Sequence, residues 1–234
     1  MYDHLGVDGH ADGVERGWPL LALRLAVGET TLRHVREGDL PHLGAIQPDD
    51  YEHDPRAEPI ATHDVAEHRR RLLYQEYWRS VGNWSPTSWC LHFIVEHGGE
   101  VVGVQSLEAE QFLSLRTVDS GSWLVRTARG RGIGVAMRRA VLGLAFDHLG
   151  AHVAITSARA DNAASLGVSR RIGYTDNGVS LNAGTGGLAE LRHMRLTRET
   201  WNASGQGNQV VISGMRACLP WFGLVSDTAT LSRY

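Results

Sequence analysis

The chain has no lysine: all 23 basic residues among its 234 are arginine. This removes the GK[ST] end of a Walker loop and leaves no side-chain primary amine anywhere. Cysteine is almost absent too. Cys90 and Cys218 are far apart and unaccompanied by a CxxC pair, so neither a disulfide framework nor a cysteine-rich zinc module is indicated. Aromatic residues make up 7% and the formal charge is −3, which excludes a chain that binds nucleic acid over its whole surface. No apolar run approaches a bilayer span. The opening "MYDHLGVDGHADGVERGWPL" also lacks the basic-then-apolar order of a signal peptide, so no membrane partner is expected and the default location is cytoplasmic.

What is present suffices for one core. At 42% hydrophobic residues the chain reads as one domain with appendages. Residues 1–17 are Gly- and Asp-rich without periodicity, which suggests a flexible arm; 18–201 form the domain; 202–234 form an extension with no interpretable pattern. Two short strands broken at Gly28 precede a helix starting at Asp39, a polar loop, and a second helix from about Asp64 to Ser80. "CLHFIVEHGGEVVGVQSLEA" reads as a hairpin turning at His97–Glu100, and "TVDSGSWLV" as another strand. A helix from about Gly132 to Leu149 carries Met137, Ala140, Val141, Leu144 and Ala145 on one face. The strand "HVAITSARA", a helix capped by Asn162 and two last strands complete the order. This is a mixed sheet with helices, in the α/β or α+β class.

The densest signal is "RTARGRGIGVAMRRA", where a strand ending in "SWLV" runs through Arg129, Gly130, Arg131, Gly132, Ile133 and Gly134 into a helix. Unpaired amides at a helix start converge on an anion, the helix dipole adds positive potential, and glycines let the backbone come close. Two arginines suit a diphosphate better than a lone carboxylate. A dinucleotide fingerprint fails in register, since its third glycine would fall on Val135.

The surviving pattern is R-x-x-G-x-G at Arg129, Gly132 and Gly134. A second is N-x-x-[AS]-x-x-[LV]-x-x-[KR]-x-G-[FY] at Asn162, Ser165, Val168, Arg171, Gly173 and Tyr174. Together they resemble the GNAT superfamily of acyl-CoA-dependent N-acetyltransferases. "TLRHVREGDLPHLGAI" and "LRHMRLTRETW" are similar to the opening and closing segments of its RimJ/RimL-like branch. The resemblance spans about Leu20 to Trp201.

It implies a central sheet of six to seven strands, splayed between the family's fourth and fifth, and acetyl-CoA as cosubstrate without a metal. It further implies an amine acceptor, with no nucleic acid or membrane partner; a homodimer is compatible with it. The glycine loop would hold pyrophosphate, and main-chain groups of Leu124 and Val125 would pair with pantetheine and supply an oxyanion donor. Asp119 matches the position of the family's strand glutamate and would be the general base, unless it only caps a strand end; Glu108 is the reserve. On an alternating strand Asp119, Gly121 and Trp123 share a face. The family's tyrosine acid is replaced here by Ser169. Ser165 and Ser169, four apart on one helix face, would position groups first and donate protons second. Trp78, Trp84 and Trp89 fall where the family builds its acceptor pocket, with core packing as the alternative. Succinyl or another acyl group, and acyl-CoA binding without turnover, remain alternatives.

The histidines do not make a metal site by spacing. His63 and His68 lie about 140° apart around a helix. Cys90 and His92 share a strand face but supply only two ligands.

The missing lysine yields a test. With excess acetyl-CoA at neutral pH, N-acetylation should be confined to the α-amino group, the most reactive neutral nitrogen. Peptide mass spectrometry showing abundant internal N-acetylation would contradict this.

Overall fold

The computed structural model describes residues 11–51, 60, 64–184 and 187–224. Residues 11–17 of the expected arm form helix α1 (Ala11–Gly17), while 1–10 lie outside the described residues. β1 (Arg24–Val27) and β2 (Thr30–His34) form the first hairpin, turning at Gly28–Glu29. α2 (Leu40–Ile46) and α3 (Val65–Gly82) follow. Asp39 starts α2 as expected, but its carboxylate is occupied by the Arg33 guanidinium at 2.7 and 2.9 Å. α3 begins in a reciprocal cap, Asp64 accepting from the Glu67 amide and Glu67 from the Asp64 amide. His63 lies outside the described residues.

β3 (Trp89–His97) and β4 (Glu100–Ala109) are the long central hairpin, in a register that places Cys90 opposite Glu108 and Ile94 opposite Val104. Period-two alternation divides their side chains between two cores. Leu91, Phe93, Val95 and Leu107 join the large core shared with α5 (Ile133–Gly143), whose helix continues as a π turn to His148. Ile94 and Val104 join a smaller core with Leu40 and Leu43 of α2 and Leu73, Tyr74 and Tyr77 of α3. All five apolar residues expected on one face of α5 are buried.

α4 (Phe112–Leu115), β5 (Thr117–Asp119) and β6 (Ser122–Leu124) lead into α5; β7 (Val153–Arg159), α6 (Ala163–Ile172), β8 (Thr175–Gly184) and β9 (Gly187–Thr197) follow it. Among the described residues ten strands form one mixed sheet, ordered β10-β1-β2-β3-β4-β5-β7-β9-β8, with β6 beside β4 alone. The count exceeds the expected six to seven partly because "TVDSGSWLV" breaks into β5 and β6. The C-terminal segment adds another strand.

That segment, unreadable from sequence, is folded onto the domain as far as residue 224. After α7 (Arg198–Ser204), β10 (Val211–Ser213) pairs with β1 at the sheet edge, and α8 (Met215–Cys218) leads to a turn ending at Phe222. Val210 packs so close to α5 that a Cβ on Gly143 would lie 2.9 Å from its side chain. Phe222 is fully buried against Trp84 and Trp89, with ring centroids 5.5 and 5.0 Å away. The Trp84 indole donates to the Trp221 carbonyl at 3.0 Å. Phe222→Ala should therefore cost about 3–5 kcal/mol. Urea unfolding of the full chain measures it, and a change near zero would show the segment is only loosely attached.

Candidate active site

β5 pairs in parallel with β7, Thr117 to Asp119 opposite Val153 to Ile155. After Ser120 and Gly121 the chain leaves β7, and β6 pairs only with β4. The sheet is open between β6 and β7. The Val125 amide donates to the Val102 carbonyl at 2.9 Å, which corrects its expected role as a free donor. Antiparallel alternation then turns the Ser122 and Leu124 main-chain groups away from β4, toward the opening. The Leu124 carbonyl accepts from Arg129 Nε at 3.0 Å.

Beside this opening lies a cavity of about 730 Å³. One wall is the glycine loop: Gly130 and Gly132 have φ of +74° and +83°, in the left-handed region that glycine enters without strain. Gly132 is the N-cap of α5, so the first amides of that helix have no carbonyl of their own helix to bond. A second helix start forms the facing wall. Asn162 Oδ1 caps α6 by accepting from the Ser165 amide at 3.0 Å, and both residues line the cavity. Arg129 reaches it already paired, donating to Asp50 at 2.7 and 2.8 Å, and holds the Asp50 carboxyl down to about 2. Arg126 is paired to Asp49 at 2.6 Å.

A second cavity, of about 540 Å³, lies at the β5 end. Asp119 and Glu108, register partners across β5 and β4, both line it. Burial raises both carboxyls above the ordinary range, and the Asp119 charge raises Glu108 further. Behind Asp119 the Thr156 hydroxyl donates to the Ser120 carbonyl at 3.2 Å and accepts from the buried Arg138 at 3.3 Å. The Ser120 amide, which donates to Asp119 Oδ1 at 2.6 Å, and then the Arg138 charge oppose the effect of burial on the Asp119 carboxyl. Tyr51 lines the first cavity, and Glu76 and Glu108 of the second act on it electrostatically; burial, then those charges, raises its phenol.

The structure gathers Leu124, Arg129, Gly130, Gly132, Gly134, Asn162, Ser165 and Trp123 around the first cavity, and Asp119, Glu108 and Trp89 around the second. As expected, Asp119 and Trp123 share a face: their partners Glu108 and Val104 are four apart on β4. Other expected residues lie outside both linings. Ser169 is buried and its hydroxyl donates to the Ser165 carbonyl at 3.2 Å, as a serine four residues on can do within a helix. Trp78 is half exposed beside Tyr74, and Trp84 belongs to the aromatic cluster at Phe222. Arg131 is exposed, and Ile133 is buried in the large core. Sequence reasoning missed Asp50, Tyr51, Glu76 and Arg138. No local motif marks Asp50, Tyr51 or Glu76, which reach the site from other segments, whereas Arg138 lies on α5 one turn beyond the glycine loop.

A strand that parts from its neighbour beside a glycine-lined helix start forms a cleft suited to an extended anionic ligand. The chain belongs to the GNAT family: residues 29–175 match the family described as "Acetyltransferase (GNAT) domain". Among solved structures, Mycobacterium smegmatis RimJ in complex with CoA-disulfide is similar at 21% identity and TM-score 0.58, over 81% of this chain and 97% of that one. RimL, the ribosomal L7/L12 alpha-N-protein acetyltransferase, is similar at 18% and 0.57, over 72% and 90%. Spermidine N-acetyltransferase from Vibrio cholerae is similar at 16% and 0.59, over 74% and 96%. These likenesses establish the shared fold. No helix among the described residues is long and apolar enough to cross a membrane.

The raised Glu108 carboxyl makes a stability prediction. A folded-state pKa above the unfolded value means that the folded chain binds the proton more tightly, so stability falls as pH rises through that window. Glu108→Gln should stabilise the fold at neutral pH, by an increment that shrinks on acidification. Urea unfolding at neutral and mildly acidic pH tests the sign, and destabilisation at neutral pH would refute it.

Proposed function

We propose that the protein transfers an acetyl group from acetyl-CoA to a primary amine by direct attack within a ternary complex. One observation carries the reading: the strand segment from Asp119 to Leu124 joins the two cavities, with raised carboxyls at one end and a glycine-lined helix start at the other. The first cavity suits acyl-CoA. The loop amides and Arg129 would hold the pyrophosphate, and Arg129 would exchange Asp50 for it. Because both members of that pair are about 40% exposed, the exchange costs little. The main-chain groups of Ser122 and Leu124 that face the opening would pair with pantetheine as an added strand does.

The second cavity suits the acceptor. An amine is almost wholly protonated at neutral pH and attacks only when neutral, so a carboxylate of raised pKa is well matched to remove its proton. Asp119 is assigned as base, with Glu108 beside it attracting the ammonium form. Tyr51, its phenol held protonated, is the hydroxyl between the cavities that would donate toward the departing thiolate, the duty expected of Ser169. Ser165 orients the α6 end of the cavity.

Asp119→Asn removes the charge and keeps the size. Turnover, followed as free CoA released with a panel of amines, should fall roughly 10²-fold at neutral pH and recover in part at high pH. Acetyl-CoA affinity by calorimetry should be unchanged. Near-normal turnover across the pH range would remove Asp119 from the reaction.

A further inference from the structure

We propose that Glu76, Cys90 and His92 form a binding site for a divalent transition-metal ion, zinc above all. These donors would bind the ion whether or not the chain transfers acyl groups. Along β3, Cys90 and His92 are two apart and share one face, which the sequence already shows as two ligands of a possible set. The fold supplies the third. α3 crosses that face and brings Glu76, so that one donor atom from each residue lies within 4.8 Å of the other two.

The separations suit a tetrahedral ion. With Zn–S near 2.3 Å and Zn–N near 2.0–2.1 Å, a tetrahedron has a sulfur-to-nitrogen edge of about 3.6 Å; Cys90 Sγ lies 3.5 Å from His92 Nε2. The nitrogen-to-oxygen edge is about 3.4 Å; Glu76 Oε1 lies 3.9 Å from the same nitrogen. Glu76 is half exposed on its helix, so a small side-chain rotation closes the difference. Its other oxygen already accepts from Arg79 at 2.8 Å, which leaves Oε1 toward the histidine.

Thiolate and imidazole donors select zinc or a neighbouring transition metal over magnesium or calcium, which prefer oxygen alone. Glu76 and Cys90 both line the second cavity, so the fourth coordination position opens onto it, for a water or for Glu108, the register partner of Cys90. The thiol must deprotonate to bind: a metal–sulfur bond forms, the S–H bond breaks, and its proton leaves to solvent.

Cobalt(II) titrated into the full chain, after stripping with EDTA, tests the site. It should give a thiolate-to-cobalt charge-transfer band with tetrahedral visible bands, and zinc should bleach both. Cys90→Ser should abolish the charge-transfer band, and Cys218→Ser, at the buried thiol near Pro19, should keep it. His92→Ala and Glu76→Gln should weaken cobalt binding by more than about tenfold. Absence of the band in the wild type, or its persistence in Cys90→Ser, overturns the proposal. If circular dichroism shows that Cys90→Ser does not fold, the surface variant Glu76→Gln decides, and unchanged cobalt affinity there overturns it.

Discussion

The parting of β6 from β7 is the constraint on which the rest of the site depends. A continuous sheet would satisfy every main-chain group from Thr117 to Val125 against both neighbours. Here only Thr117–Asp119 pair with β7, and the next three strand residues pair with β4 alone. The opening leaves a row of strand groups without a neighbouring strand, next to a helix start that also lacks carbonyl partners. Two families of unsatisfied amides therefore meet in one cavity, which makes it suitable for an extended, phosphorylated ligand.

The same break separates the two cavities chemically. On the loop side Arg129 pairs with Asp50 and Arg126 with Asp49, all near solvent. On the β5 side Glu108 and Asp119 are register partners, burial shifts both toward the neutral acid, and the Ser120 amide opposes this at Asp119 by donating to it at 2.6 Å. Arg138 keeps Asp119 from shifting further. This arrangement opposes stability above the range in which the two carboxyls are neutral. Carboxyls placed for folding alone would be paired or solvated.

The aromatic cluster of Trp18, Trp84, Trp89, Phe112, Trp221 and Phe222 ties four segments of the chain together. Trp89 contributes one face to this cluster and also lines the second cavity. The described part of the C-terminal segment, through residue 224, thus supports the wall of the second cavity and lines neither cavity.

The sequence by itself determined the elements whose signals are local: the β3–β4 hairpin from its alternation and Gly98–Gly99, the buried face of α5 from its period, the start of α3 near Asp64, the cap at Asn162, and the glycine loop from its residue order. Its two motifs were enough to indicate family and cosubstrate, because both lie within single strand–helix transitions. Whatever depends on distance through space was decided by the tertiary structure alone. Seven residues separate Asn162 from Ser169, yet that serine is turned into its own helix, and Tyr51, more than a hundred residues away, stands between the cavities. The tryptophans of the α3–β3 region look alike in sequence, but packing sends Trp84 into the Phe222 cluster and leaves Trp78 half exposed. Cys90 and His92 gave no metal site by spacing, and only the crossing of α3 over β3 brings Glu76 within 4.8 Å of them. A periodic pattern specifies which face of an element is buried, whereas the partner of that face depends on how the elements pack, which local sequence does not encode.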